Sequence, residues 1–229
     1  MRNPKSIVSD RKLLPIAIGG MLWVCAVGAG FAVLWNYGNT PGAPAHAPRS
    51  WPTASRLRLA GDLPTLVMIA HPHCPCTRAS MSELSVLMTR CQGKLTATVL
   101  FVKPDGFEQE WEQTDLWHEA SRIPGVAVVS DAGGVEAARF GAATSGQTLL
   151  YDLKGDLLFS GGITSARAHE GDNDGLSAIQ SLVVSAGADR SSTPVFGCPL
   201  QDPGSKCQAG VSDAGVNDAE VNDANDNGQ

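Results

Sequence analysis

His71-Pro72-His73-Cys74-Pro75-Cys76-Thr77-Arg78 brings two thiols and two imidazoles into a short segment, and thiolate and imidazole are the side chains that exchange disulfides or bind soft metals. The segment lies between an apolar run, Leu63 to Ala70, and Ser80 to Cys91, where Leu84, Leu87, Met88 and Cys91 recur at helical spacing. The thiols therefore sit on a strand-to-helix turn. Unpaired N–H groups and the positive end of the dipole at a helix start stabilise thiolate, so a reactive cysteine is expected here.

The elements that follow must position this turn. Leu95 to Val102 reads as a second apolar strand and Val126 to Ser130 as a third, with a polar, Trp-bearing helix or insert over Phe107 to Ser121 between them. His118, Trp111 and Trp117 read as face or core residues of that insert. Gly134 to Phe140 is a short helix. Thr148 to Tyr151 and Leu157 to Ser160 form a hairpin, and Leu176 to Val184 closes the domain as a helix for which Asp172 is the expected N-cap. Strands alternating with helices predict an α/β domain with a mixed sheet.

Cys74-Pro75-Cys76-Thr77-Arg78-Ala79-Ser80-Met81-Ser82-Glu83-Leu84 resembles the C-P-P-C-R-A-E-M-P-E-L segment of membrane-tethered thioredoxin-like reductases of the TlpA/ResA type. The resemblance extends through Val126 to Asp131, Ala137 to Gly141, Thr148 to Asp152 and Gly155 to Phe159. Together with Gly161 to Thr164, His169 to Asn173 and Phe196 to Leu200, the active segment looks most like bacterial thioredoxin-fold proteins labelled RedB. It implies a thioredoxin-like mixed sheet flanked by helices over residues 56–190, with Cys74 as the attacking thiolate. This chain departs from the pattern twice. Thr77 occupies the usual resolving position, and Ser145-Gly146-Gln147 stands where the family places a cis-proline facing the active cysteine.

Six cysteines occur, at 25, 74, 76, 91, 198 and 207. Cys25 is an apolar membrane residue, and Cys91 falls on the helix's apolar stripe and reads as a small core residue. Cys198 either staples to Cys207 or resolves for Cys74, and spacing alone does not separate the two. Cys74 and Cys76 can themselves pair in a strained ring. The leading expectation is a thiol–disulfide oxidoreductase in which Cys74 attacks, Cys76 or Cys198 resolves and Thr77 hydrogen-bonds the thiolate. It requires no cofactor, and its partner is a redox protein or disulfide substrate. The alternative is copper or zinc handling by His71, His73, Cys74 and Cys76, completed by His169 or Cys198, although two alternating histidines at a strand end need not converge. A peroxide reductase is disfavoured because the P-x-x-x-T-x-x-C loop of peroxiredoxins is absent. A redox-inert interaction domain with a structural Cys74–Cys76 disulfide is the remaining alternative.

No charged residue occurs from Leu13 to Pro48, and residues 13–37 are apolar enough to cross a bilayer, which needs about 20 residues. A cleaved signal peptide ending near Ala45-His46-Ala47 is the rival reading, but its apolar region would run only about 7 to 15 residues. Arg2, Lys5, Arg11 and Lys12 precede the span, so residues 1–12 are expected in the cytoplasm and the domain on the extracytoplasmic, periplasmic side, with Trp35 and Tyr37 near the outer interface. Residues 38–55, rich in Pro and Ala toward their middle, read as a spacer. Residues 191–210 form a Cys-containing extension, and 211–229 a disordered acidic repeat with a remote capacity for calcium. The formal net charge of −6 and the lack of a basic aromatic face exclude nucleic-acid binding.

Overall fold

The computed structural model describes residues 4–185, 187 and 190–200. Cys207 and the acidic repeat lie outside the described residues, and with them the proposed Cys198–Cys207 staple and the calcium reading.

Helix α1 (Pro4–Asn39) contains Leu14–Asn39, a stretch long and apolar enough to span a membrane, with its large apolar side chains exposed. Five strands follow: β1 (Thr65–Ala70), β2 (Thr96–Lys103), β3 (Val126–Ala132), β4 (Gln147–Tyr151) and β5 (Leu157–Gly161). They form one sheet in the order β3-β2-β1-β4-β5. β1 pairs in parallel with β2 and β2 with β3, whereas β4 runs antiparallel to both β1 and β5. Helix α2 (Pro75–Arg90) carries the crossover from β1 to β2, α3 (Asp115–Ser121) and α4 (Val135–Arg139) flank β3, and α5 (Asp174–Ser185) follows β5 and packs against it and α2. Parallel neighbours need such crossovers, while the short β4–β5 turn permits the antiparallel hairpin. This is the expected mixed sheet with flanking helices.

β1 is central, and every residue in it is buried, which explains its unbroken apolar sequence. Leu66, Met68 and Ala70 pack on one face with Leu84, Leu87 and Met88 of α2, with its C-cap Cys91 and with Ile179 of α5. Val67 and Ile69 pack on the other face with Phe140, Leu149 and Tyr151. Cys91 is thus a core residue, and burial pushes its thiol pKa up.

Asp131 at the end of β3 accepts the N–H groups of Glu136 and Ala137, holding the start of α4. Glu136 in turn accepts the Ser55 hydroxyl and pairs with Arg139. The expected cap of α5 shifts by one residue: Asn173, not Asp172, accepts the Leu176 N–H, because its side chain is buried against Glu83 of α2.

Residues 38–55 are not a free spacer. Gly42 donates to the Val195 carbonyl, Thr144 bonds the Ala43 carbonyl, His46 donates to Gly141 and Trp51 to Gly155. The Trp51 ring meets Phe140 and Tyr151 edge-on, each at 5.2 Å. A Cβ at Gly141 would fall 2.1 Å from the His46 carbonyl oxygen, so only glycine admits this strap. Residues 191–200 likewise belong to the domain. Ser192 bridges to Ser160, Pro199 to Thr144, and Leu200 joins the core beside Tyr151. A strand-poor segment with few apolar residues gives no periodicity from which such packing could be read.

Candidate active site

Cys74 is the N-cap of α2 and Pro75 its first residue, where a missing N–H costs nothing. Cys76 lies within the first turn. Cys198 arrives on the segment after α5, and the three buried sulfurs lie within 4.8 Å of one another. The Cys74 and Cys198 sulfurs are only 3.1 Å apart, too far for a covalent bond of about 2.05 Å but near enough to form one after a small movement.

Ser145 sets this approach. Its N–H donates to the Cys198 carbonyl, and its hydroxyl accepts the His71 N–H and shares a 2.7 Å hydrogen bond with Thr77. Gly146 donates to Ile69, tying the same loop to the end of β1. The Ser145-Gly146-Gln147 segment therefore supplies, through a hydroxyl and two backbone bonds, the face opposite Cys74.

Electrostatics separates the thiols. Hydrogen bonding from Cys198, then from Cys76, draws the Cys74 pKa far below the ordinary thiol range; burial opposes this, while Thr77 and the Cys198 backbone assist. Contact with Cys198 lowers Cys76, but its hydrogen bond to Cys74 and burial outweigh that and leave it raised. The thiolate form is thereby favoured at Cys74 and the protonated form at Cys76.

The histidines stand apart from the sulfurs. His73 stacks at 4.4 Å on Trp111 and its Nε2 pairs with the Trp111 carbonyl, while His71 meets the same indole edge-on at 5.6 Å. The His73 N–H donates to His71 Nδ1. Burial lowers the His71 pKa, which Cys74 opposes and His73 reinforces. The histidines of the alternative copper or zinc reading therefore do not join Cys74 and Cys76, and the side chain gathered with those two thiols is that of Cys198. His169 is exposed and outside the group. Trp111 is the wall on which both imidazoles rest, and Trp117 packs against Phe101.

Ser145 and Arg167 escaped the sequence reading as functional residues. Arg167 donates a guanidinium hydrogen bond to the Gly197 carbonyl, its backbone N–H binds Gly38, and its guanidinium carbon lies 5.0 Å from the Tyr37 ring centre. It joins the end of α1 to the Cys198 segment. No local pattern around Ala166-Arg167-Ala168 signals such a role, since its partners are distant in sequence.

No protein-family model matches the chain, and no curated protein matches it either. Among solved structures, a hypothetical protein of Sinorhizobium meliloti 1021 aligns over 70% of this chain and 93% of its own at 19% identity, with a TM-score of 0.52. An uncharacterized conserved protein of Geobacillus kaustophilus aligns over 73% and 93% at 14% identity, with a TM-score of 0.51. A secreted Mycobacterium tuberculosis disulfide oxidoreductase homologous to E. coli DsbE aligns over 56% and 84% at 16% identity, with a TM-score of 0.40. At these identities the likeness bears on fold alone. With β1 leading into a cysteine-capped α2, a parallel crossover to β2, and the antiparallel β4–β5 hairpin closed by α5, the chain has a thioredoxin-like fold.

Proposed function

We propose that the protein is a membrane-anchored thiol–disulfide oxidoreductase in which Cys74 attacks and Cys198 resolves. The observation that carries this reading is the 3.1 Å separation of the two sulfurs, one of them at a helix N-terminus. The Cys74 thiolate attacks one sulfur of a substrate disulfide, forming a Cys74–substrate bond and expelling the other substrate sulfur as thiolate. Cys198, deprotonated as it approaches, then attacks the Cys74 sulfur, forming the Cys74–Cys198 disulfide and releasing the second substrate thiolate. Two electrons pass to the substrate, and the same steps in reverse oxidise a dithiol. Thr77 and Ser145 hold the site, and Cys76 bonds the Cys74 thiolate.

The basic residues before α1 favour the domain lying on the extracytoplasmic side, where disulfides persist. Arg167 links the end of α1 to the segment carrying Cys198, which favours substrates presented close to the membrane surface. The test is trapping. With a disulfide-bonded model peptide, Cys198→Ser should accumulate a mixed disulfide on Cys74 visible by mass spectrometry, Cys74→Ser should form none, and Cys76→Ser should turn over. Trapping by Cys76→Ser with turnover by Cys198→Ser would assign resolution to Cys76 instead.

A further inference from the structure

Disulfide exchange uses two sulfurs, yet three are gathered. Cys76 has no bond-forming step in that reaction, and its sulfur nevertheless stands within 4.8 Å of both others in a buried cluster. We propose that Cys74, Cys76 and Cys198 in their reduced state form a three-coordinate, all-thiolate site for Cu(I).

The geometry suits a trigonal ion. Three thiolates around one metal at a bond length of about 2.3 Å stand about 4.0 Å from each other. Here all sulfur separations are within 4.8 Å and that between Cys74 and Cys198 is 3.1 Å, so small side-chain rotations would bring the three to the trigonal spacing. Cys74 and Cys76 offer a chelate from the start of α2, and Cys198 closes it from a separate segment, which makes the site a product of the fold.

The donor set selects the ion. Thiolates favour soft metals, Cu(I) and Zn(II) among them. Zinc in a closed site takes four ligands. Among the described residues no further His, Cys, Asp or Glu joins the group, and both neighbouring imidazoles are engaged by Trp111: His73 through its ring nitrogen and stacking, His71 through its edge. Three sulfurs without a fourth ligand satisfy Cu(I) and leave Zn(II) short. Three thiolates with one Cu(I) carry two negative charges, which the N-terminus of the 16-residue helix α2 and the nearby Arg167 guanidinium oppose. Loading releases the thiol protons to solvent and transfers no electron. Oxidation to the Cys74–Cys198 disulfide removes two of the ligands, so copper occupancy and disulfide formation exclude each other.

The experiment uses the full chain in detergent, reduced and freed of reductant without oxygen. It is titrated with Cu(I) against bicinchoninate, and copper–sulfur coordination is read by X-ray absorption. We expect one Cu(I) per chain with three sulfur neighbours. Cys76→Ser and Cys198→Ser should each weaken binding by more than about a hundredfold, the upper end of what losing a supporting residue alone costs. The His71→Ala/His73→Ala double variant should bind within twofold of the parent. Two sulfur neighbours in the parent protein, an unchanged affinity in Cys76→Ser, loss of copper in the double histidine variant, or Zn(II) displacing Cu(I) at equal concentration would each overturn the assignment. The parent's coordination number stands even if a cysteine variant misfolds. Because loading needs only reduced thiols, these results are separable from the mixed-disulfide trapping that tests the exchange reaction.

Discussion

Gly197 packs so closely beneath Ser145 that a Cβ on it would lie 1.9 Å from the Ser145 carbonyl oxygen. The Cys198 segment can reach Cys74 only because no side chain intervenes. Gly197→Ala should push this segment outward, and overpacking of this kind costs about 1–3 kcal/mol. Converted to an equilibrium, that is roughly a 5- to 150-fold fall in the Cys74–Cys198 disulfide relative to the dithiol. Quenched thiol trapping in glutathione buffers reads it directly; an unchanged equilibrium would show that Ser145 does not hold Cys198 in place.

The lowered Cys74 pKa has a pH consequence with a definite sign. A depressed thiol pKa stabilises the folded reduced protein above the ordinary thiol range of about 8.5, and that contribution declines as pH falls toward the lowered folded value. Stabilising the reduced form makes the corresponding disulfide more oxidising, so its potential should lie above thioredoxin's value of about −270 mV. Iodoacetamide should modify Cys74 at mildly acid pH and Cys76 only at alkaline pH, as followed by peptide mass spectrometry on the folded protein. Cys76 reacting first would reverse the assignment of the nucleophile.

Arg167 lowers the Cys76 pKa through its charge and holds the Gly197 carbonyl. Arg167→Ala should therefore raise the pH at which Cys76 is alkylated and also speed exchange of the Gly197 and Cys198 amides with deuterium. Arg167→Lys should restore the first effect but not the second, since an ammonium keeps the charge without the planar fork.

Asp131 is fully buried and accepts two N–H groups at the start of α4. Asp131→Ala should cost about 2 kcal/mol in denaturant unfolding, the range for hydrogen bonds to a charged group. Its neighbour Glu136 adds an acid limb. Burial raises that carboxyl, but Ser55, the Arg56 backbone and Arg139 outweigh it and leave the pKa lowered. Stability from Glu136 is thus present above the usual glutamate range near 4.3 and is lost as pH falls through the lowered folded value. Glu136→Gln should flatten that part of the stability–pH curve.

Trp51 lies between Phe140 and Tyr151. A chain beginning at Arg56 should be less stable than one beginning at Thr40, by about 3 kcal/mol for the aromatic contact alone. Equal midpoints in urea would mean that residues 40–55 are a spacer after all.

Several features were legible before any fold was known, because they are local. The unbroken apolar run of β1, the helical stripe of α2, the hairpin around Asp152 to Asp156 and the long uncharged span within α1 each follow from periodicity or length within one segment. Placement of Cys74 at a helix start also needed only the strand-to-helix change beside it. What tertiary structure alone decided is which groups meet. Cys198 lies 124 positions from Cys74, and nothing in its own neighbourhood distinguishes a resolving or ligating thiol from a stapling one. His71 and His73 adjoin the thiols in sequence, yet they turn to Trp111, because the tight turn from His71 to Cys74 carries both rings onto the indole wall. The Pro- and Ala-rich strap looked like a tether because its bonds to the domain run through backbone groups that every residue carries, and only the facing chain reveals whether those groups are used.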